Sequence, residues 1–148
     1  MMENLNLKGI RIGAIDYGKK RVGFAVCDEL HITVTPKEVF DRTSDNFFDV
    51  LQSSIHKEKV GLLIVGVPYR LDNKETELIR EIMEFIKELK SKTGIEVLTF
   101  DESFSTHRSV NIMLEIGKKK KRRAMKGNKD MIAAAIILRD FLEEFERK

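Results

Sequence analysis

Residues 60–66 read Val60-Gly61-Leu62-Leu63-Ile64-Val65-Gly66, an apolar run without alternation of polar and apolar residues. Such a run is typical of a strand buried on both faces, as parallel strands between helices are. Working outward from this run, apolar patterns bounded by turn residues predict four further strands. They are expected at residues 10–16, 21–27, 37–40 and 95–100.

Helical spacing of apolar residues predicts four helices. The first runs through residues 47–55, with Thr43 or Ser44 as its N-cap. The second carries apolar residues from Leu78 to Leu89 and ends at Gly94. The last two are expected at about residues 104–116 and 129–145. The resulting order, β-β-β-α-β-α-β-α-α, predicts an α/β fold with a mixed central sheet flanked by helices.

Length and composition fit one globular domain over residues 1–148, with 42% apolar and 34% charged residues. The chain has no apolar run of the roughly 18 residues that a membrane span requires. Its first residues lack the basic and apolar regions of a signal peptide. Cys27 is the one cysteine, which excludes an internal disulfide and a cysteine-based zinc site. We therefore expect a cytoplasmic protein.

The positive charge is concentrated in one segment, which we call the basic loop. It consists of Lys118, Lys119, Lys120, Lys121, Arg122, Arg123, Lys126 and Lys129, between Gly117 and Asp130. Because the whole chain has a net charge of only +3, the remainder is net acidic. A basic loop on an acidic body favours a polyanion such as nucleic acid, although a solvated charge run is an equal alternative.

Asp16 ends the first predicted strand and shares the parity of Ile12 and Ala14, so it lies on an apolar face. A carboxylate there is costly unless it is paired, hydrogen-bonded or bound to a metal. One alternative is a carboxylate held by the turn amides of residues 18–20. The turns at Gly18 and at Gly66 to Pro68 are predicted to lie near this site. The backbone of Gly66 to Pro68 could line a phosphate path, although ordinary strand termination is the more common reason for such a turn.

Further acids occur at the same predicted edge of the sheet. Asp101 and Glu102 follow the last strand, and alternation predicts that only one of them enters a common site. Either could instead cap the next helix. Asp130 falls in the first turn of the last helix, a common place for a structural acid. The alanines at 133–135, however, predict close packing that brings Asp130 to the sheet.

Three converging carboxylates beside a basic loop would suit a divalent metal site. Mg²⁺ and Mn²⁺ take oxygen ligands, and two such ions can activate water and stabilise the leaving oxygen of a phosphodiester. Without a cation, carboxylates gathered from different elements would repel one another. Lys19, Lys20 and Arg21, next to Asp16, join the basic loop as predicted nucleic-acid contacts.

Four short motifs in order span residues 10 to 145. They are Asp16-Tyr17-Gly18-Lys19-Lys20-Arg21-Val22-Gly23-Phe24-Ala25, Gly66-Val67-Pro68 with Asp72-Asn73, Asp101-Glu102-Ser103-Phe104-Ser105-Thr106, and Asp130 with Ala133, Ala134, Ile137 and Leu138. Each is weak alone, but together they resemble the YqgF family of RNase H-like nucleases. The resemblance implies an RNase H-like fold and a metal-binding, catalytic triad of Asp16, Glu102 and Asp130, with Glu102 favoured over Asp101.

The resemblance also implies a substrate class, either the 5′ end of precursor 16S rRNA or, as the alternative, a Holliday junction. Junction resolution would require a dimer, and monomer or homodimer stays open. Two positions depart from the family pattern: Ser103 replaces an arginine, which removes a bidentate phosphate contact, and Asn73 replaces a glycine.

Two other classes of function stay open at this point. The segment from Asp16 to Gly23 also resembles the phosphate-binding hairpin of actin-like and hexokinase-like ATPases, which need a second such domain. A protein that binds RNA without cutting it is the remaining alternative, and Ser103 is its main support.

Overall fold

The chain folds around a five-stranded sheet. The computed structural model describes residues 7–68, 76–101 and 129–146. The strands are β1 (Ile12–Asp16), β2 (Arg21–Cys27), β3 (Val34–Asp41), β4 (Leu62–Val67) and β5 (Glu96–Asp101). The helices are α1 (Phe47–Lys57), α2 (Thr76–Thr93) and α3 (Lys129–Glu146). The strand order across the sheet is β3-β2-β1-β4-β5.

The sheet is mixed, as the element order predicts. Strand β2 is antiparallel to both β1 and β3, whereas β4 is parallel to both β1 and β5. All six residues of β4 are buried, which accounts for its continuous apolar sequence. Parallel strands bring their carboxyl ends to one edge of the sheet, where the predicted site residue Asp16 ends β1 and Asp101 ends β5.

Helices cover both faces of the sheet. On one, which we call the α1/α2 face, α1 and α2 pack on the strands through a large cluster that includes Phe24, Leu51, Val65 and Phe85. On the other, the α3 face, α3 packs through Ile137, Leu138 and Phe141. Strands β1, β2, β4 and β5 supply alternate residues to the two clusters, so in these four strands the alternation assigns each residue to one face.

Strand β3 is longer than the predicted residues 37–40. It pairs with β2 from Val34 to Asp41 and includes Pro36, opposite Ala25, with a register shift between Phe24 and Ala25. Proline ordinarily argues against a strand because it donates no ladder hydrogen bond. It is tolerated here because β3 is at the edge of the sheet.

Two other predictions at segment ends are wrong. Helix α1 begins at Phe47 after Asn46, so neither Thr43 nor Ser44 is its N-cap. Thr43 instead donates through its amide and hydroxyl to the Asp41 carboxylate, which turns the chain before the helix starts. Gly66 lies within β4, opposite Phe100 of β5, and the strand continues through Val67, so the prediction of a turn at Gly66 is wrong.

The predicted helix at 104–116 and every basic-loop residue except Lys129 lie outside the described residues, as do Glu102, Ser103 and Asn73. Cys27 is buried in β2, and burial raises the pKa of its thiol. None of the helices within the three described ranges is long and apolar enough to cross a membrane.

Candidate active site

Asp16 lies at the end of β1 on the α3 face. Ile12 and Ala14 belong to the cluster under α3, whereas Ile15 belongs to the α1/α2 cluster. Asp16 shares the parity of Ile12 and Ala14, and its side chain is partly buried. β1 thus ends at Asp16 at the carboxyl edge of the sheet, and parity assigns its carboxylate to the α3 face.

Gly23 lies between Asp16 and the start of α3. It is the register partner of Asp16 across β1 and β2. A Cβ atom at Gly23 would overlap the carbonyl group of Asp130 and lie 2.9 Å from the Met131 nitrogen. The first turn of α3 therefore rests directly on the backbone of β2, one strand from Asp16. Asp16 and Asp130 thus lie at the same end of the same face.

Small side chains continue this close contact along α3. Ala134 and Ala135 are buried against Ala25 of β2, two residues beyond Gly23. A larger side chain at any of these positions would hold the helix away from the sheet. The alanines therefore bring Asp130 to the sheet edge, as predicted from the sequence.

Asp130 accepts a hydrogen bond from Arg21. The Arg21 Nε atom lies 2.9 Å from Asp130 Oδ2, which joins the first residue of β2 to the first turn of α3. The two side chains differ in exposure, with 56% of the Arg21 side chain accessible and 22% of that of Asp130. The carboxylate is thus largely covered, while its cationic partner is mostly in solvent.

Asp101, the last residue of β5, is assigned to the face opposite Asp16. Val97 packs in the α1/α2 cluster, whereas Leu98 and Phe100 pack on the α3 side. Asp101 shares the parity of Val97, so alternation assigns it to the face opposite Asp16 and Asp130. Glu102, the third acid of the predicted triad, lies outside the described residues.

Basic side chains surround this end of the sheet. Lys19, Lys20 and Arg21 are exposed in the turn after β1 and at the start of β2, and Lys129 is exposed at the start of α3. A groove of about 570 Å³ beside them is lined by Lys20, Arg21, Val39, Phe40, Asp41 and Thr43. Gly18 closes the turn, where a Cβ atom would lie 2.5 Å from the Arg21 carbonyl oxygen.

Behind the turn lies a contact that the sequence did not reveal. Tyr17 points to the α1/α2 face, where its hydroxyl donates a 2.7 Å hydrogen bond to Glu81 Oε2 of α2 and its ring centroid lies 4.8 Å from that of Phe85. Burial, and then the bond to Glu81, raise the pKa of the Tyr17 hydroxyl. The only sequence signal was that Tyr17 shares the parity of buried Ile15. This contact anchors Tyr17, the residue next to Asp16, to α2.

Arg42 packs in the same region, behind the turn that follows β1. Its guanidinium carbon lies 4.9 Å from the ring centroid of Phe47 and 5.4 Å from that of Phe48, and its amide donates to the Lys20 carbonyl oxygen over 2.9 Å. Around it is a groove of about 420 Å³ with mixed charge. Its lining residues are Tyr17, Arg42, Glu77, Arg80, Glu81, Glu84, Phe85 and Glu88. With four glutamates, this groove is not the place to expect a polyanion.

The donor set at the sheet edge suits a hard cation. Asp16 and Asp130 offer carboxylate oxygens, which are the ligands that Mg²⁺ and Mn²⁺ prefer. Among the described residues, no three His, Cys, Asp or Glu side chains are grouped closely enough to hold a metal ion. Asp16 and Asp130 could each supply a ligand there, and Glu102 lies outside residues 7–68, 76–101 and 129–146.

Two solved structures share this architecture. One, described as "T. thermophilus RuvC in complex with Holliday junction substrate", matches with a TM-score of 0.51 over 87% of this chain and 90% of that chain, at 12% identity. A fowlpox virus resolvase, solved with substrate Holliday junction DNA, matches with a TM-score of 0.54 over 93% and 98%, at 17% identity. The chain has the RNase H-like fold of these resolvases, as the sequence resemblance predicted.

The family follows from the sequence comparison. Residues 10–144 match the RuvX family, described as "Holliday junction resolvase". Relatives named "Putative pre-16S rRNA nuclease" include one from Phocaeicola vulgatus, 40% identical over 90% of this chain and 95% of its own length. Another, from Amoebophilus asiaticus, is 36% identical over 93% and 96%. This chain belongs to the RuvX/YqgF family of nucleases, and its class is that of hydrolases acting on phosphodiester bonds.

Proposed function

We propose that this protein is an Mg²⁺- or Mn²⁺-dependent nuclease that processes the 5′ end of precursor 16S rRNA. The observation that supports the proposal is that the Asp130 backbone lies against Gly23, the register partner of Asp16, in a chain of this nuclease family. The pre-16S rRNA named for its relatives supports the substrate. Cytoplasmic localisation and a single nuclease domain over residues 1–148 belong to the same proposal.

Asp16, Glu102 and Asp130 are the proposed metal ligands and catalytic residues. Asp16 and Asp130 share the α3 face, and Glu102 has the sequence parity of Leu98 and Phe100, which pack on that face. Asp101 has the opposite parity, which supports the choice of Glu102. Nucleases of the RuvC and RNase H-like type generally use divalent metals. Bound Mg²⁺ or Mn²⁺ would supply an activated water and stabilise the charge on the leaving oxygen.

Charge supports an approach of the substrate along the α3 side of the site. Lys19, Lys20, Arg21 and Lys129 are exposed around the sheet edge, and the rest of the basic loop precedes Lys129 in the sequence. Four glutamates of α2 line the groove on the other side of the turn and repel phosphates. Basic side chains on the α3 side would hold the backbone of a structured RNA and position it without reading its sequence.

The second candidate is resolution of a Holliday junction, favoured by the description of the family and by the two structural neighbours. A resolvase must make two coordinated cuts, so this candidate requires a homodimer or two molecules on one junction. A protein that binds RNA without cutting it is the third candidate. Retention of the acids beside a phosphate-binding surface argues against it, because unneeded carboxylates would weaken binding.

The test is Mn²⁺-dependent cleavage of two labelled substrates, a precursor 16S rRNA fragment and a synthetic four-way DNA junction. It compares the wild type with Asp16→Asn and Asp130→Asn. Asp49→Asn is the matched control, because Asp49 is also an acid in the first turn of a helix but lies on α1. We expect cleavage of the RNA by the wild type and the control, and none by the two site variants.

Other outcomes would select among the candidates. Cleavage of the junction alone, lost in Asp16→Asn, would replace the RNA substrate by branched DNA. Binding of RNA by all four proteins without metal-dependent product would show a binding protein instead. Cleavage that survives Asp16→Asn would remove the proposed site from the reaction.

A further inference from the structure

Two of the proposed metal ligands, Asp16 and Asp130, belong to the described residues, and Arg21 is hydrogen-bonded to the carboxylate of Asp130. Its Nε atom donates to Asp130 Oδ2 over 2.9 Å, and more than half of its side-chain surface is accessible. The contact therefore joins a proposed metal ligand to a basic residue at the start of β2. It raises the question of what Arg21 does when the carboxylate binds a cation.

An ion pair whose cation is more than half exposed is weak and exchangeable. Water screens a half-exposed guanidinium, and holding its long side chain in one geometry costs conformational entropy. A divalent cation carries twice the charge and binds carboxylate oxygens directly, so Asp130 binds it more strongly than it binds Arg21. Because both bind the same carboxylate, Arg21 and the cation compete.

The freed side chain has an evident second partner. Arg21 lies between the groove lined by Lys20 and Phe40 on one side and Asp130 on the other. A guanidinium presents a planar fork of donors that matches a phosphate, and a phosphate would stand next to the metal site during cleavage. The exchange keeps Arg21 paired with an anion before and after the site is loaded.

We propose that Arg21 is an exchange residue: it pairs with Asp130 while the site is free of metal, and turns to a phosphate of the nucleic acid once a cation holds Asp130. This inference rests on the proposed function. The exchange makes no covalent change, so it is a step of binding and ordering rather than of chemistry. It also implies that nucleic acid is bound more tightly by the metal-loaded protein.

The competition is tested by calorimetric titration of the full chain with Mn²⁺ in the absence of nucleic acid. Arg21→Gln is compared with Lys20→Gln, which removes the same charge from the neighbouring position and so measures the long-range effect alone. We expect Arg21→Gln to bind Mn²⁺ at least threefold more tightly than Lys20→Gln. Equal affinities of the two variants, or weaker binding by Arg21→Gln, would show that Arg21 does not compete and would overturn the proposal.

The exchange is tested with a labelled RNA hairpin, in EDTA and in Ca²⁺, a hard cation that takes the same oxygen ligands. Arg21→Gln should bind the hairpin as the wild type does in EDTA and several-fold more weakly in Ca²⁺. Its salt dependence in Ca²⁺ should fall by about 0.7–0.9 in log–log slope, the value for one phosphate that is no longer neutralised. Equal losses in both conditions would identify a permanent phosphate contact and overturn the exchange.

Failure of the proposed function gives a different result. If the wild type binds no Mn²⁺, or if Asp130→Asn binds it as well as the wild type, the metal site itself is absent and both proposals fall. If Asp130→Asn loses Mn²⁺ binding while Arg21→Gln behaves as Lys20→Gln does, the metal site stands and only the exchange is overturned.

Discussion

Gly23 and Asp130 are in direct backbone contact, although they are 107 residues apart in the sequence. The space for a side chain at Gly23 is already filled by the Asp130 carbonyl group. Since Gly23 is also the register partner of Asp16, this contact sets how far apart the two acids are. A backbone atom cannot move aside as a flexible side chain can, so the spacing is fixed by the packing of α3 on the sheet.

Gly23→Ala should therefore damage both the fold and the site. The added methyl group forces α3 away from β2, and overpacking of this kind costs about 1–3 kcal/mol in the free energy of unfolding. We expect a loss in this range by urea denaturation, together with loss of metal-dependent cleavage. Gly61→Ala is the control, because its Cβ atom would meet only the Ile10 Cγ2 atom, at 2.9 Å. A Gly23→Ala protein as stable and active as this control would contradict the structure.

Separate replacement of Asp101 and of Glu102 should distinguish their roles. Glu102→Gln removes a proposed metal ligand, so we expect cleavage to fall by more than about a hundredfold, with RNA binding retained. Asp101→Asn changes a residue whose parity assigns it to the opposite face, and it should keep activity within a few-fold of the wild type. The measurement is single-turnover cleavage in Mn²⁺. The reverse order of the two effects would assign the ligand to Asp101.

The basic loop should contribute phosphate contacts. Replacement of Lys118–Lys121 by alanine is expected to weaken RNA binding and to reduce the log–log salt slope by about 0.7–0.9 for each phosphate that the loop no longer neutralises. Affinity is measured by fluorescence anisotropy at several salt concentrations. The control removes four exposed lysines from other parts of the surface, namely Lys57, Lys59, Lys87 and Lys90. If the two variants have the same slope, the basic loop is only solvated.

Burial of Tyr17, together with its hydrogen bond to Glu81, should make stability depend on pH at the alkaline end. The folded protein raises the pKa of the Tyr17 hydroxyl, so it holds this proton more tightly than the unfolded chain does. The resulting stabilisation is complete below the unfolded value of about 10 and is lost as pH rises through the folded pKa. Tyr17→Phe should therefore lose about 0.5–1.5 kcal/mol at neutral pH and show a shallower alkaline decline.

Urea denaturation between pH 7 and 11 measures both effects. Tyr69→Phe, which changes the other tyrosine of the chain, controls for the loss of a phenol. An alkaline decline in Tyr17→Phe as steep as in the wild type would show that another group causes it.

The sequence predicted the parts of the site that depend on local pattern. Strand parity put Asp16 on the α3 face, and the run of alanines predicted that α3 packs closely enough to bring Asp130 to the sheet. The Tyr17–Glu81 and Arg21–Asp130 bonds could not be predicted in this way, because they join side chains 64 and 109 residues apart. No periodicity records which of many surface acids meets a given donor.

The start of β3 and the N-cap of α1 were predicted wrongly from local residue preferences. Pro36 led to a short β3, since the sequence does not show that this strand is at the edge of the sheet, where a missing donor is harmless. Threonine and serine are common N-cap residues, but Thr43 is hydrogen-bonded to the Asp41 carboxylate and α1 begins only at Phe47. In both cases a tertiary or side-chain contact outweighs the average preference of the residue.

The position of α3 has a consequence for how the protein matures during translation. The helix is made after all five strands, yet it supplies Asp130 and covers the face that carries Asp16. A nascent chain that has emerged only as far as β5 can pair its strands, but it has no complete site and leaves Ile12, Ala14 and Ile64 without their cover. Under the proposed function, the site is therefore assembled only after α3 has been synthesised and has docked on the sheet.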